Sequence, residues 1–249
     1  MMWTTCPIVM IDTETTGLDW VTSRVVEVGA TAFRLSENPM EPEFLGSFRT
    51  FIYPGHHAIE GHQARAAMQI NQIAPSDLEG APTFLEAARE LEDFLNEVAA
   101  ESTCGQLALA AYNAEFDFKM LAAEWLRCGL DMPLRLRMSA RGDASGWVDP
   151  LVWCRDACRD AKDGHSLSAQ RKRLALPSSG PVHRALTDAV DAAKIFNWLT
   201  LGGHQDLTSS RTQGTPFGTF DELLSRQAFL LSAQIYTINT NKRINNIQK

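Results

Sequence analysis

Two carboxylates stand two residues apart in "IVMIDTETTGLD", residues 8–19: Asp12 and Glu14. Residues i and i+2 of a strand point to one face, so these acids project together with Thr13 opposite. Like charges so close raise each other's pKa unless something positive lies between them. An isolated D-x-E is also an ordinary way to end a strand in a turn. The chemical alternative is a divalent-cation site built from hard oxygen ligands. Two later stretches offer more donors. In "AYNAEFDFKML" (111–121), Asp117 falls in the first turn of an expected helix, where a carboxylate by itself is simply a favourable charge. In "VHRALTDAVDAAKIF" (182–196), His183 precedes Asp188 by five residues, about 140° around a helix, so the two would not share a helical face. A His183 placed in the loop before the helix can instead lean over whatever Asp188 faces. Asp191, one turn beyond, competes with Asp188 for that role. An imidazole with an ordinary pKa near 6.5 suits proton transfer beside such a centre.

The elements that must position these groups follow from periodicity. Ile8–Ile11 is apolar, Arg24–Phe33 is β-branched and partly alternating, and Ser47–Ile52 ends at Pro54, which together predict an antiparallel meander. After Pro82 the period becomes helical, with Phe84, Leu85, Ala88, Leu91 and Leu95 on one stripe. A short buried strand (106–112) and a helix over Phe116–Cys128 follow. Residues 139–146 read as a loop, and further helices fall near 150–161, 166–174 and 184–200. Strands followed by alternating helices and strands predict an α/β fold whose sheet is partly parallel.

The 249 residues suffice for one sizeable core, or one core with an appendage. No apolar run reaches the roughly 18 residues of a membrane span. The start, "MMWTTCP", lacks a signal-peptide layout, so a cytoplasmic location with reduced thiols is expected for the five cysteines. Cys154, Cys158 and His165 lack a C-x-x-C pair and read as core thiols rather than a zinc site. The net charge of −7 is uneven: residues 1–125 carry 6 basic and 19 acidic side chains, residues 126–200 carry 12 and 8. That balance excludes a coat protein held on nucleic acid by bulk charge. It is compatible with an acidic centre that meets phosphates through cations, beside a basic rim.

Taken together, the three stretches resemble the DEDD exonuclease superfamily in its histidine-containing, DnaQ-like branch. The first motif is Asp12, Glu14, Thr15, Thr16, Gly17 and Leu18, the second Asn113, Ala114, Phe116 and Asp117, the third His183 and Asp188. They occur in the family's order over residues 8–196. "INQIAPSDLEGAP" resembles a further family segment, with Asn71 and Gln72 where His-Gly is usual. The resemblance implies a ribonuclease-H-like fold, a five-stranded mixed sheet with helices on both sides. It implies two Mg²⁺ or Mn²⁺ ions held by Asp12, Glu14, Asp117 and Asp188, with His183 taking a proton from the attacking water. Thr13, Thr15, Thr16, Gly17, Leu18, Asn113 and Phe116 would contact the terminal nucleotide. The first motif is most similar to proofreading exonucleases of bacterial DNA polymerases, which implies 3′ to 5′ removal of 5′-mononucleotides from single-stranded DNA. The alternatives are an RNA 3′-exonuclease on the same site and a binding module that has lost catalysis.

Residues 1–203 are expected to form the exonuclease domain. Residues 204–218 read as a polar linker. A T-x-x-E capping box at Thr219 and Glu222 then opens an amphipathic helix bearing Phe220, Leu223, Leu224, Ala228, Leu231 and Ile235. That helix would dock on its own catalytic domain, on a second copy, or on a polymerase. A chain ending at 203 is expected to keep its fold.

Overall fold

The computed structural model describes residues 6–38, 41–103, 105–137, 146–181, 183–200, 223–232 and 234. Strands β1 (Ile8–Thr15), β2 (Val25–Arg34) and β3 (Glu43–Phe51) form the expected antiparallel meander. Helices α1 (His57–Glu60), α2 (His62–Asn71) and α3 (Phe84–Ala100) follow, then strand β4 (Ala108–Ala110) and helix α4 (Ala114–Arg127). Helices α5 (Leu134–Arg137), α6 (Pro150–Ala157), α7 (Leu167–Arg173) and α8 (Ala185–Thr200) come next. A last helix, α9, covers residues 223–232.

The sheet is mixed, in the order β3-β2-β1-β4, with β4 parallel to β1. Five strands were expected and four form among the described residues. Where a fifth would lie, Val148 makes one parallel bridge to Ala110. It cannot lengthen forward, because Asp149 caps α6 and Pro150 fills its first position, where the missing N–H is tolerated.

The period-2 alternation of β1 divides two packing faces. Val9 and Ile11 join Leu91, Leu95, Phe118, Leu121 and Trp125 of α3 and α4. Ile8 and Met10 turn to the other face and pack on Ala189, Ala192, Ala193 and Phe196 of α8. Helix α3 starts where Thr83 and Glu86 cap each other reciprocally, the Thr83 N–H donating to Glu86 at 2.8 Å. Helices α1 and α2 lie over a third cluster of Val26, Ile59, Met68, Ile73 and Leu78. They were not assigned from sequence. Their polar composition leaves only a weak apolar stripe.

Candidate active site

β1 keeps its strand geometry through Thr15, so Asp12 and Glu14 continue the face of Ile8 and Met10, the face on which α8 lies. Across the sheet, Glu14 pairs with Glu27 and Asp12 with Gly29. Gly29 is where α8 lands. A Cβ added there would stand 2.1 Å from the Leu186 nitrogen and 2.3 Å from the Ala185 carbonyl carbon. The helix backbone thus rests directly on the strand, and Asp188 in its first turn reaches the acids of β1. Carboxylate oxygens of Asp12, Glu14 and Asp188 all lie within 4.8 Å of one another.

Asp117 enters from the opposite face. Its Oδ1 accepts the Thr13 backbone N–H at 2.9 Å and the Thr13 hydroxyl at 2.7 Å. Asp117 is 2% exposed and lies outside the three-acid group. The Thr13 hydroxyl expected to contact a nucleotide is therefore engaged in holding Asp117.

Burial pushes all four carboxylates up, and at Asp12 and Glu14 repulsion from the other site acids adds to it. Asp12 is driven well above the usual carboxylate range by burial, then by Asp117, Glu14 and Asp188. Glu14 is raised to about 8 by burial and then by Asp188, Glu27 and Asp117. Burial raises Asp117 to about 7 against the two Thr13 hydrogen bonds that lower it. Burial raises Asp188 to about 6, with His183 acting in the opposite sense. These carboxylates converge with no Lys or Arg paired to Asp12 or Glu14 among the described residues. Such a donor set, all hard oxygens, fits a divalent cation.

His183 lies outside α8, in the loop before it, with an exposed side chain and a left-handed backbone at φ 58°. Its backbone N–H donates to Asp188, and its imidazole is close enough to affect that acid. Asp191 is separated from this group. It is 1% exposed, ion-paired to Arg171 at 3.0 Å, and accepts the Ser179 N–H and hydroxyl.

The hydroxyls of the Thr-Thr-Gly turn make hydrogen bonds within the fold. Thr15 Oγ1 donates to the Gly17 carbonyl at 2.6 Å, and Thr16 Oγ1 accepts the Arg24 N–H at 2.9 Å. Arg24 is held in turn by fully buried Glu124 of α4 at 2.8 Å, so this network ties the turn to the domain. Gly17 is packed against Gln63 and Ser23, while Leu18 is 82% exposed. Asn71 donates its amide to the Thr15 carbonyl at 3.1 Å, a structural use for a residue that departs from the family pattern. Asn113 precedes α4 at φ 73°, and Phe116 is half-buried against the α3–α4 core.

Several groups near the site escaped the sequence. Glu27, 0% exposed, is paired with Arg49 and Arg184 and accepts the Ala185 N–H at 3.3 Å. Both guanidiniums lie over the Phe51 ring, about 5.0 and 5.1 Å from its centroid. Asp149 accepts the N–H groups of Asn113 at 2.9 Å and Ala114 at 3.2 Å, capping α4 from a distant segment. Long-range partners of this kind leave no local spacing to read. Much of the expected basic rim is paired internally: Arg127 donates to the Trp20 and Val21 carbonyls, and Arg159, Arg171 and Arg173 each pair with an aspartate. Burial pushes the Cys154 thiol up to about 12, and His165 Nε2 contacts the Cys158 carbonyl rather than a thiol.

A family model described as "Exonuclease", RNase_T, matches residues 9–196. The exonuclease DPD1 of Arabidopsis thaliana is 27% identical over 204 residues, covering 78% of this chain and 56% of that protein. Ribonuclease T of Pectobacterium atrosepticum is 29% identical over 124 residues, 49% of this chain and 53% of that protein. The alignments thus span about half the length of these relatives. The nuclease domain of 3′hExo, a DEDDh family member bound to rAMP, shares the fold at a TM-score of 0.61 and 15% identity, over 77% of this chain and 90% of that one.

Proposed function

This chain belongs to the RNase_T exonuclease family, and from that premise we propose a metal-dependent 3′ to 5′ exonuclease that trims single-stranded DNA to 5′-mononucleotides. The carrying observation is the convergence of Asp12, Glu14 and Asp188 within 4.8 Å, with Asp117 tied to the strand between the first two. When bound, two Mg²⁺ or Mn²⁺ ions would neutralise these acids and act as Lewis acids on the scissile phosphate. Asp12, Glu14 and Asp188 hold the site from one face. Asp117, with Oδ1 fixed by Thr13, would join them as a fourth carboxylate. His183 accepts the proton of the attacking water at an imidazole nitrogen. Its loop position and exposed side chain leave the ring free to approach that water. Leu18, projecting beyond the rigid turn, supplies an apolar surface for the terminal base.

DNA is the favoured strand because the D-T-E-T-T-G-L motif resembles proofreading exonucleases. The likeness to ribonuclease T carries a second reading, an RNA 3′-exonuclease on the same site. Turnover on end-labelled DNA and RNA oligomers of matched sequence, with Mg²⁺, Mn²⁺ or EDTA, tests both. Mononucleotide release from the 3′ end of DNA at the greater rate is expected. Faster RNA turnover selects the second reading, and cutting of closed circular single strands overturns both. Leu223, Gln227 and Leu230 of α9 are buried against the chain's own residues, which supports the reading in which this helix docks on its own catalytic domain rather than on a polymerase or a second copy. Among the described residues no helix is long and apolar enough to cross a membrane.

A further inference from the structure

Helix α9 carries a buried glutamine. Leu223, Gln227 and Leu230, one helical face, are 1%, 3% and 3% exposed, and Leu223 joins the core of β1, β4 and α8. A buried amide must be hydrogen-bonded, and it can both accept and donate. Gln227 does both, and these bonds go to one short segment, residues 147–153. Its Oε1 accepts the Asp149 N–H at 2.7 Å and the Trp153 indole N–H at 3.3 Å. Its Nε2 donates to the Trp147 carbonyl at 2.8 Å. Asp149 is therefore gripped at its backbone by α9, while its carboxylate grips α4 through Asn113 and Ala114 and also caps α6 through the Leu151 N–H at 2.9 Å. Asn113 provides no side-chain cap for α4, so the hold on that helix end comes from Asp149. One turn further along α4 stands Asp117.

We propose that Gln227 is a positioning residue for the nuclease centre: it fixes Asp149, Asp149 fixes the first turn of α4, and that turn presents Asp117 beneath Thr13. The proposal rests on the reading of Asp117 as a member of the metal-holding set. An apolar side chain of equal length would fill the same space but leave the Asp149 N–H and the Trp147 carbonyl buried without their partner. The first turn of α4 would then be free to shift. The helix expected to be a dispensable arm becomes part of what sets the site's geometry.

The test uses the full chain with Gln227→Met, and Leu230→Ala as a control that loosens the same helix without touching Asp149. Loss of a group that orients a metal ligand typically costs about 10–100-fold in metal affinity or activity. Gln227→Met should lower kcat and Mn²⁺ affinity, measured by calorimetry, within that range and leave KM nearly unchanged. Leu230→Ala should lower Tm at least as much while kcat and Mn²⁺ affinity stay near wild type. Wild-type values in Gln227→Met, or equal losses in both variants at matched Tm, overturn the proposal. Hydrogen exchange on the wild-type chain reads the same linkage even if Gln227→Met does not fold, because coupling between two sites is reciprocal. Saturating Mg²⁺ should slow exchange in 223–232 as well as in 12–14 and 113–117. Protection of the last two without 223–232 overturns the linkage alone. Protection of none overturns the metal-site reading beneath it.

Discussion

Glu14 and Glu27 are direct cross-strand neighbours, and both are buried on the α8 side of the sheet. Glu27 lies between two arginines that stack on Phe51 and receives the N–H of Ala185. Glu14 instead faces the carboxylates of Asp188, Glu27 and Asp117, each of which raises its pKa, and among the described residues no Lys or Arg is paired with it. The same residue type, at similar depth and one strand apart, is handled in opposite ways. A buried acid supplied with protein cations holds elements together. A buried acid denied them is a standing electrostatic cost that a cation from solution can relieve. Asp191 and Asp188 repeat the contrast one turn apart on α8, the first paired with Arg171 and Ser179, the second turned toward Asp12 and Glu14.

Neutralising each kind of acid should separate their effects on activity and stability. Asp12→Ala, Glu14→Ala, Asp117→Ala and Asp188→Ala should each reduce nuclease activity to background in a product assay. Glu14→Gln should leave the Tm of the metal-free protein unchanged or raise it, because it removes repulsion. A Glu14→Gln variant that is fully active, or as unstable as its Glu27 counterpart, would end the distinction.

His183→Ala comes next in size. Loss of a general base typically costs about 10²-fold or more in kcat. The pH–rate profile should change with it while DNA affinity stays close to wild type. A profile superimposable on wild type removes the role.

Smaller effects are expected where acids hold structure. Glu27→Gln weakens the pairing of a buried acid with two partly exposed arginines, which should cost about 1–3 kcal/mol. Asp191→Ala should lose about 2 kcal/mol by leaving Arg171 and Ser179 without their partner, while retaining activity. Chemical denaturation measures both. Loss of turnover in a folded Asp191→Ala protein would exchange the roles of the two α8 aspartates.

The smallest effect is a slope. Glu14, Asp117 and Asp188 are raised to about 8, 7 and 6, so the metal-free native state binds more protons than the unfolded chain above about pH 4. Stability should therefore fall as pH rises from about 4 to 8. Divalent cations favour the ionised forms, so the gain in Tm on adding Mg²⁺ should grow over the same interval. Thermal scans at pH 5, 6, 7 and 8, with Mg²⁺ or EDTA, measure this. A flat metal-free profile would show that the acids are compensated in some other way.

Motif residues were legible because they sit at fixed local spacings: two along β1, and five between His183 and Asp188. The strand period placed Asp12 and Glu14 on one face correctly. It also placed Thr13 opposite, although the partner waiting there, Asp117, is 104 residues away. Asp149, Arg184 and Gln227 work through long-range hydrogen bonds that no periodicity encodes. Gln227 was missed for a further reason: an amphipathic pattern counts apolar residues, and the buried face of α9 is organised around a polar one. The fifth strand was implied by the family resemblance and not by any local pattern; among the described residues its place is taken by the single Val148 bridge, because capping at Asp149 begins a helix at once.

The contact at Gly29 has a consequence for mutational tolerance. It touches no substrate in the proposed mechanism and carries no chemistry. Yet a methyl group there would meet backbone atoms of α8 at 2.1 and 2.3 Å, and backbone cannot rotate aside. Relieving that overlap moves the helix by on the order of 1 Å, about twice the tolerance of a catalytic constellation. In a saturation scan scored only by survival of function, position 29 would thus be as intolerant as Asp12, its neighbour across the sheet. Such a map would mark the seat of α8 as though it were a ligand, and sensitivity alone would not separate the residues that react from the one that leaves room.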